Sequence, residues 1–149
     1  DVQVVCDEDL RGCFDATLLE QAAVNLLDNA IKYSPDESTI KIEAVSVDDE
    51  IQIRFRDFGI GIAQKHLPRL FERFYRVDKA RSRRMGGTGL GLAIVKHIAQ
   101  AHQGRVTVTA QRTGSIVLPL AAPALVITGL VVAFAATAIA CRAPRSRSA

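Results

Sequence analysis

An α/β domain is the fold class this sequence predicts, and three observations predict it. Segments of alternating, β-branched residues interleave along the chain with segments whose apolar residues recur at helical spacing. At 149 residues the chain has the size of one domain with a substantial core. With 48% hydrophobic and 23% charged residues, it is a poor fit to a wholly disordered, collagen-like or disulfide-scaffold protein.

Residues 2–5 predict a short strand, which Asp7, Glu8, Asp9 and Gly12 break. A long helix then begins near Asp15 or Thr17. Thr17 and Glu20 have capping-box spacing, and Leu19, Ala23, Leu26, Leu27, Ala30 and Ile31 form the apolar stripe of a buried face. Tyr33-Ser34-Pro35 ends it, because the ring of a proline drives the preceding residue out of the helical region. Residues 39–47 and 51–57, separated by Asp48-Asp49-Glu50, predict an antiparallel hairpin, with a bulge where the alternation shifts at Ala44-Val45. Residues 63–89 hold one short helical stretch and then an irregular run; a loop that long inside one domain is usually functional. Residues 90–103 predict a second helix with Leu90, Ile94, Ile98 and Ala101 inward, stopped by Gly104, and residues 105–110 and 115–120 predict the closing strands.

Charge is unevenly distributed. The net +3 comes wholly from Arg142, Arg145 and Arg147, since the remaining 16 basic and 16 acidic residues cancel, so the net charge is no argument for a nucleic-acid partner and none is expected. Residues 1–64 carry 14 acids against 5 bases, whereas residues 65–84 carry 8 bases against 2 acids. Cys6, Cys13 and Cys141 have neither disulfide nor zinc spacing and read as reduced packing residues. The chain opens on Asp1 without a signal-peptide pattern, which predicts a fragment of a longer protein.

Four places carry chemistry. Asn25, Asn29 and Lys32 fall at i, i+4 and i+7, so two amides and an ammonium share one stripe beside the apolar face. Amide oxygens suit a hard cation such as Mg²⁺ and a lysine suits phosphate, while the plain alternative is a solvated face. Asp57 has the parity of the buried Ile51, Ile53 and Phe55 and precedes Gly59 and Gly61. A buried carboxylate needs a partner; an amine-bearing flat ring fits, and so does capping of the next turn. Glycines 86, 87, 89 and 91 stand directly before a helix, where free amides and the positive dipole end hold phosphates. The run fits neither a Walker loop, since no lysine follows Gly91, nor the dinucleotide fingerprint, since Leu92 stands where a small residue is required. In Phe71-Glu72-Arg73-Phe74-Tyr75-Arg76, two phenylalanines three apart anchor a loop whose arginines reach phosphate, or the run is simply a solvated basic loop. His66, His97 and His102 have no metal-like spacing and read as structural or surface residues.

Taken in order, Asn25-Leu26-Leu27-Asp28-Asn29-Ala30-Ile31-Lys32-Tyr33-Ser34, Asp57-Phe58-Gly59-Ile60-Gly61, Phe71-Glu72-Arg73-Phe74 and Gly87-Thr88-Gly89-Leu90-Gly91-Leu92 resemble the N, first glycine, F and second glycine boxes of bacterial sensor histidine kinases. The resemblance covers about residues 1–119 and is to their catalytic ATP-binding domain, with residues 71–83 and 87–97 similar to the phosphate-regulon sensors. It implies a two-layer α/β sandwich of the Bergerat type shared with DNA gyrase, its mixed, mostly antiparallel sheet packed on helices, with a long ATP lid at residues 63–89.

The resemblance also implies roles. Mg²⁺ falls to Asn29 with Asn25 nearby, phosphate to Lys32, adenine stacking to Tyr33 and the adenine amine to Asp57, with Gly59 and Gly61 shaping the base pocket. Gly87, Thr88, Gly89, Leu90 and Gly91 form the phosphate-facing turn, and Arg73 or Arg76 meets the γ-phosphate. Related ATPases carry a water-activating Glu where Asn25 stands, so transfer to a protein side chain is favoured over hydrolysis. The chain lacks the family's H-E-[LF]-[RK]-x-P-L phosphoacceptor string, so the acceptor histidine belongs to a dimerisation domain outside it. A response-regulator receiver domain is then the indirect partner, and the cytoplasmic face of the bacterial inner membrane the expected location.

Residues 120–141 are apolar at 18 of 22 positions, long enough to match the ~20 residues that span a bilayer. The arginines after them favour the cytoplasm, which would leave an ATP site on the wrong side for a single span. Three readings stand for the tail: an anchor, a segment packed on the domain, or an unrelated terminus. A membrane is therefore a candidate partner, reached through this tail against the charge rule or through an upstream sensor region. Rival functions are an ATPase or serine-directed kinase of the same fold, and a non-catalytic nucleotide-binding module that docks on a partner.

Overall fold

The computed structural model describes residues 1–7, 10–48, 50–78, 80, 82, 85–110 and 114–121. The elements run β1 (Val2–Cys6), α1 (Ala16–Tyr33), β2 (Ile40–Val47), β3 (Glu50–Asp57), a 3-10 helix (Gln64–Arg69), α2 (Gly91–Ala101), β4 (Thr107–Ala110) and β5 (Gly114–Ala121). The five strands form one sheet in the order β1-β2-β3-β5-β4, parallel between β1 and β2 and antiparallel elsewhere. The mixed, mostly antiparallel sheet is therefore the expected one.

One apolar cluster joins sheet and helices. Register carries it across the strands: Ile42 faces Phe55 and Phe55 faces Ile116, while Ile53 faces Leu118 and Ile51 faces Leu120. These side chains meet Leu19, Ala22, Ala23, Leu26, Leu27 and Ala30 of α1 and Val95, Ile98 and Ala99 of α2. Burying each large aliphatic residue contributes about 1.5–3 kcal/mol, which is why both helices lie on the same face.

The predicted bulge at Ala44-Val45 is absent, because the β2–β3 register runs without a break from Lys41↔Arg56 to Val47↔Glu50. The small Ala44 and Ser46 keep the inner parity while Val45 and Val47 stand on the outer face, so the apparent shift is one of residue size. Asp48, in the turn, takes a left-handed φ of 50°, as a tight hairpin requires.

The Thr17–Glu20 capping box is not formed. Asp15 is the N-cap instead, its Oδ1 accepting from the Leu18 amide at 3.0 Å. Ile31 is 47% exposed, since it lies past the edge of the buried stripe. The inward face of α2 is likewise turned from the expected one: Val95, Ile98 and Ala99 are buried and Ala101 is exposed. At the end of α2 the left-handed residue is Gln103, at φ 54°, not Gly104. Gly104 is required for closeness, because a Cβ there would lie 2.3 Å from the Pro119 carbonyl oxygen.

His102 ties the two helices together. Its Nε2 accepts from the Asp15 amide at 3.0 Å and its Nδ1 lies 2.8 Å from the Ile98 carbonyl, so Nδ1 carries the proton. His102→Ala removes both bonds, and urea unfolding of the variant is expected to show a loss of about 1–3 kcal/mol.

Of the cysteines, Cys6 is half-buried, with its thiol pushed up by burial and then by Asp7, and Cys13 is exposed. Cys13 is therefore not the packing residue expected. Strand β5 runs one residue beyond the predicted strand 115–120 at each end, with Leu120 fully buried. Of the expected tail, residues 120–149, those from 122 on lie outside the described residues, Cys141 among them, as do Lys79, Arg81, Arg83 and Arg84 of the basic segment. Among the described residues no helix is long and apolar enough to cross a membrane.

Candidate functional site

The last turns of α1, the end of β3 and the segment before α2 converge on a cavity of about 290 Å³. From α1 come Asn25, Asp28, Asn29, Lys32 and Tyr33, one stripe beside the buried face. From β3 and its exit come Phe55, Asp57, Gly59 and Gly61, and the far wall holds Tyr75, Arg76 and the glycine turn.

Asp57 ends β3 with the parity of the core, so its carboxylate is half-buried at the cavity wall. Its Oδ1 accepts from the Gly59 amide at 2.8 Å. Burial pushes the carboxyl above its ordinary range, and the Gly59 hydrogen bond pulls it partly back. The alternative of turn capping is thus realised through one oxygen, while the carboxylate still lines the cavity. Gly59 is dictated by proximity: a Cβ there would lie 2.8 Å from both Asp57 Oδ1 and the Tyr33 carbonyl oxygen.

Lys32 Nζ bonds Asp28 Oδ2 at 2.6 Å, one turn back on the same stripe. Asn25 donates through Nδ2 to the Gln21 carbonyl at 2.8 Å. Its Oδ1 faces α2, where a Cβ on Gly91 would lie 2.9 Å away.

The glycine turn is built by contacts with residues before it. Gly89 adopts φ +75°, and a Cβ there would lie 2.9 Å from the Phe74 backbone, whose amide donates to the Gly89 carbonyl at 2.8 Å. The Gly87 amide donates to the buried Ser82 carbonyl at 2.8 Å. The Thr88 hydroxyl accepts from the Leu90 amide at 3.3 Å. Gly91 and Leu92 bring the first turn of α2, with amides that no preceding turn can satisfy, to the cavity.

Of the residues to which the resemblance gives a role at ATP, Mg²⁺ or phosphate, all but Arg73 and Leu90 line this cavity, and Phe71 and Phe74 do not. Arg73 is exposed, and Leu90 is the half-buried N-cap of α2. The expected anchoring by two phenylalanines is corrected: Phe74 is 70% exposed with a left-handed φ of 65°, so it docks through its backbone and turns its ring outward. Leu70, buried, and Tyr75, half-buried, anchor the segment instead. Sequence reasoning gave no role to Asp28, Tyr75, Ser82 or Met85, which also line the cavity. Asp28 alone carried a signal, its i, i+4 spacing to Lys32.

Among the described residues no group of three or more His, Cys, Asp or Glu side chains is placed to hold a metal ion. The donors that do reach the cavity from α1 are the amides of Asn25 and Asn29 with the Asp28 carboxylate, a hard-oxygen set that fits an ion held chiefly by its ligand's phosphates.

Residues 14–122 match the model of the family described as histidine kinase-, DNA gyrase B-, and HSP90-like ATPase. The chain belongs to that family. Among its relatives, the sensor-like histidine kinase SenX3 of Mycobacterium tuberculosis strain H37Rv is 47% identical over 128 residues, covering 85% of this chain and 31% of SenX3. The phosphate regulon sensor protein PhoR of Pseudomonas aeruginosa is 50% identical over 91 residues, covering 61% of this chain and 20% of PhoR, which accords with the expected likeness to phosphate-regulon sensors. The solved structure of the mycobacterial sensor histidine kinase MprB superposes with a TM-score of 0.68 at 32% identity, covering 83% of this chain and 85% of that one. The chain thus spans a third or less of the curated relatives it matches but nearly all of that solved domain, and the two-layer sandwich is the fold of such kinase domains.

Proposed function

We propose that this chain is the ATP-binding catalytic module of a two-component sensor histidine kinase, transferring the γ-phosphoryl group of ATP to a histidine on a dimerisation domain outside these 149 residues. The observation that carries the reading is the meeting of three features on one cavity: the Asn25–Asn29–Lys32 stripe, the Asp57 carboxylate and the glycine turn before α2.

Each group then has a task. Asp57 accepts the adenine amine through the oxygen that Gly59 does not occupy, Tyr33 stacks on the base, and Gly59 and Gly61 leave room for the ring. Lys32 meets phosphate when it leaves Asp28, and Gly87, Thr88, Gly89, Leu90 and Gly91 offer backbone amides at the N-terminus of α2. Arg76, on the cavity wall, is the better placed of the two arginines for the γ-phosphate, Arg73 being outside it. Asn29 with Asn25 would hold Mg²⁺, which when bound offsets charge on the phosphates.

Asn25 supports transfer over hydrolysis: its amide, already donating to Gln21, has no basicity with which to activate water. The phosphoryl group is held in line with an incoming imidazole, and positioning with electrostatic stabilisation does the rest. A response-regulator receiver domain would be the next acceptor, and attachment of the longer protein to the cytoplasmic face of the bacterial inner membrane accords with this role.

Incubation of the chain with ATP, Mg²⁺ and a separately supplied helical histidine acceptor domain is expected to yield acid-labile phosphohistidine on that domain. Free phosphate, or acid-stable phosphoserine, would replace this reading by the ATPase or serine-kinase one. ATP binding without transfer to any acceptor would favour a non-catalytic module.

A further inference from the structure

Beside the cavity, at the root of the segment before the glycine turn, lies a cluster that none of the roles above uses. Tyr75 is gripped at two points. His66 Nδ1, on the 3-10 helix, lies 2.7 Å from its hydroxyl, and the Arg69 guanidinium stacks over its ring 4.4 Å from the centroid. Arg69 is itself fixed by Glu72, whose carboxylate accepts from Nε at 3.0 and 3.2 Å and from Nη2 at 2.9 Å. Leu70, Tyr75 and Arg76 line the cavity, whereas His66, Arg69 and Glu72 are not part of its lining.

The neighbouring backbone is held as well, the Phe74 amide donating to the Gly89 carbonyl at 2.8 Å. Residue 76 thus leaves a short stretch fixed to the glycine turn on one side and to the 3-10 helix on the other. An arginine side chain is long and loses much rotamer freedom when ordered, so its aim depends on how firmly its backbone is set.

We propose that His66 is a positioning residue: through the Tyr75 hydroxyl it sets the stretch that aims Arg76 at the terminal phosphate of a nucleoside triphosphate. This rests on the nucleotide-binding reading above. Its consequence is specific, because loss of His66 should weaken recognition of the third phosphate and spare that of the base and first two phosphates.

Calorimetry on the full chain with Mg²⁺ reads this out as the ratio of affinities for a non-hydrolysable ATP analogue and for ADP. His66→Leu is expected to lower that ratio about tenfold, roughly the effect of one hydrogen-bonded contact. Tyr75→Phe should lower it equally, and the double variant no further, because one bond joins the pair. His66→Asn, whose side-chain amide can occupy the place of Nδ1, should restore most of it. A purely structural histidine would lower the melting temperature of His66→Leu with the ratio unchanged, and that result overturns the proposal, as does an unchanged ratio in Tyr75→Phe. Should His66→Leu fail to fold, Tyr75→Phe, which keeps the ring under Arg69, decides alone. A wild-type chain that binds neither nucleotide overturns the nucleotide reading itself; one that binds both, with unshifted variants, overturns the role of His66 only.

Discussion

Asp57→Asn is expected to weaken binding of a non-hydrolysable ATP analogue by about a hundredfold or more while leaving the empty protein more stable at neutral pH. Both effects follow from one geometry. Oδ1 of Asp57 takes the Gly59 amide at 2.8 Å, and an asparagine there keeps its own Oδ1 on the same amide. The side-chain NH₂ then stands where the second carboxylate oxygen stood, setting a donor against the donor amine of the base. Losing a hydrogen bond to a charged acceptor costs about 1.5–3 kcal/mol, and the donor–donor clash adds to it.

The stability change has the opposite sign. Burial raises the Asp57 carboxyl above its ordinary 3.8, so the folded protein holds that proton more tightly than the unfolded chain does. The stability this provides is present below the ordinary value and is lost as pH rises from there through the raised folded value. Above that raised value the half-buried charge is carried at a cost, which a neutral asparagine removes. Calorimetric titration checks the first effect; thermal unfolding of both proteins, from acid to neutral pH, checks the second. Near-native affinity in the variant would remove Asp57 from base recognition. A variant that loses stability at neutral pH would show that its carboxylate is needed by the fold rather than tolerated for binding.

Leu120→Ala is expected to cost the fold about 2–5 kcal/mol, a large part of the roughly 5–15 kcal/mol that holds a domain together. Leu120 has 0% exposure and faces Ile51 across β3 and β5, and its Cδ2 would lie 2.8 Å from a Cβ on Gly104. Urea unfolding of the whole chain measures this. The same packing predicts that a chain ended after residue 119 loses cooperative unfolding that a chain ended after residue 122 keeps, since only the latter retains Leu120 and the Ala121↔Glu50 pair. Equal stability of the two would show that the end of β5 adds nothing to the core.

The contrast between these two residues shows where sequence reading succeeds. Asp57 was legible because its chemistry is local: a carboxylate at core parity, followed by glycines, asks for a partner whatever the rest of the chain does. Asn25, Asn29 and Lys32 were legible for the same reason, since helical spacing alone puts them on one stripe. Leu120 closes the predicted strand 115–120, and β5 runs only one residue further, but it also opens a run of apolar residues in which nothing local marks the one that is fully buried. Only its partner Ile51, far away in sequence, does so.

Phe74 and Tyr75 make the same point within the site. Both are aromatic and adjacent, so the repeated phenylalanines looked like the anchors. Docking on Gly89 puts Phe74 in a left-handed conformation that turns its ring outward, and His66 with Arg69 captures Tyr75 instead. The N-cap of α1 was settled likewise, as His102, brought in by α2, accepts the Asp15 amide and secures Asp15 over Thr17.

By itself, the sequence determined the α/β class, the helix and strand order, the inner parity of β3 and the residue types that meet at the cavity, because periodicity and side-chain chemistry act within a few residues. The tertiary structure alone decided which aromatic ring anchors the segment before α2, which arginine reaches the cavity, where α1 is capped and how deeply the end of β5 is buried. Each of those choices turns on burial against a distant element, and the free energy of that burial exists only once the layers have closed.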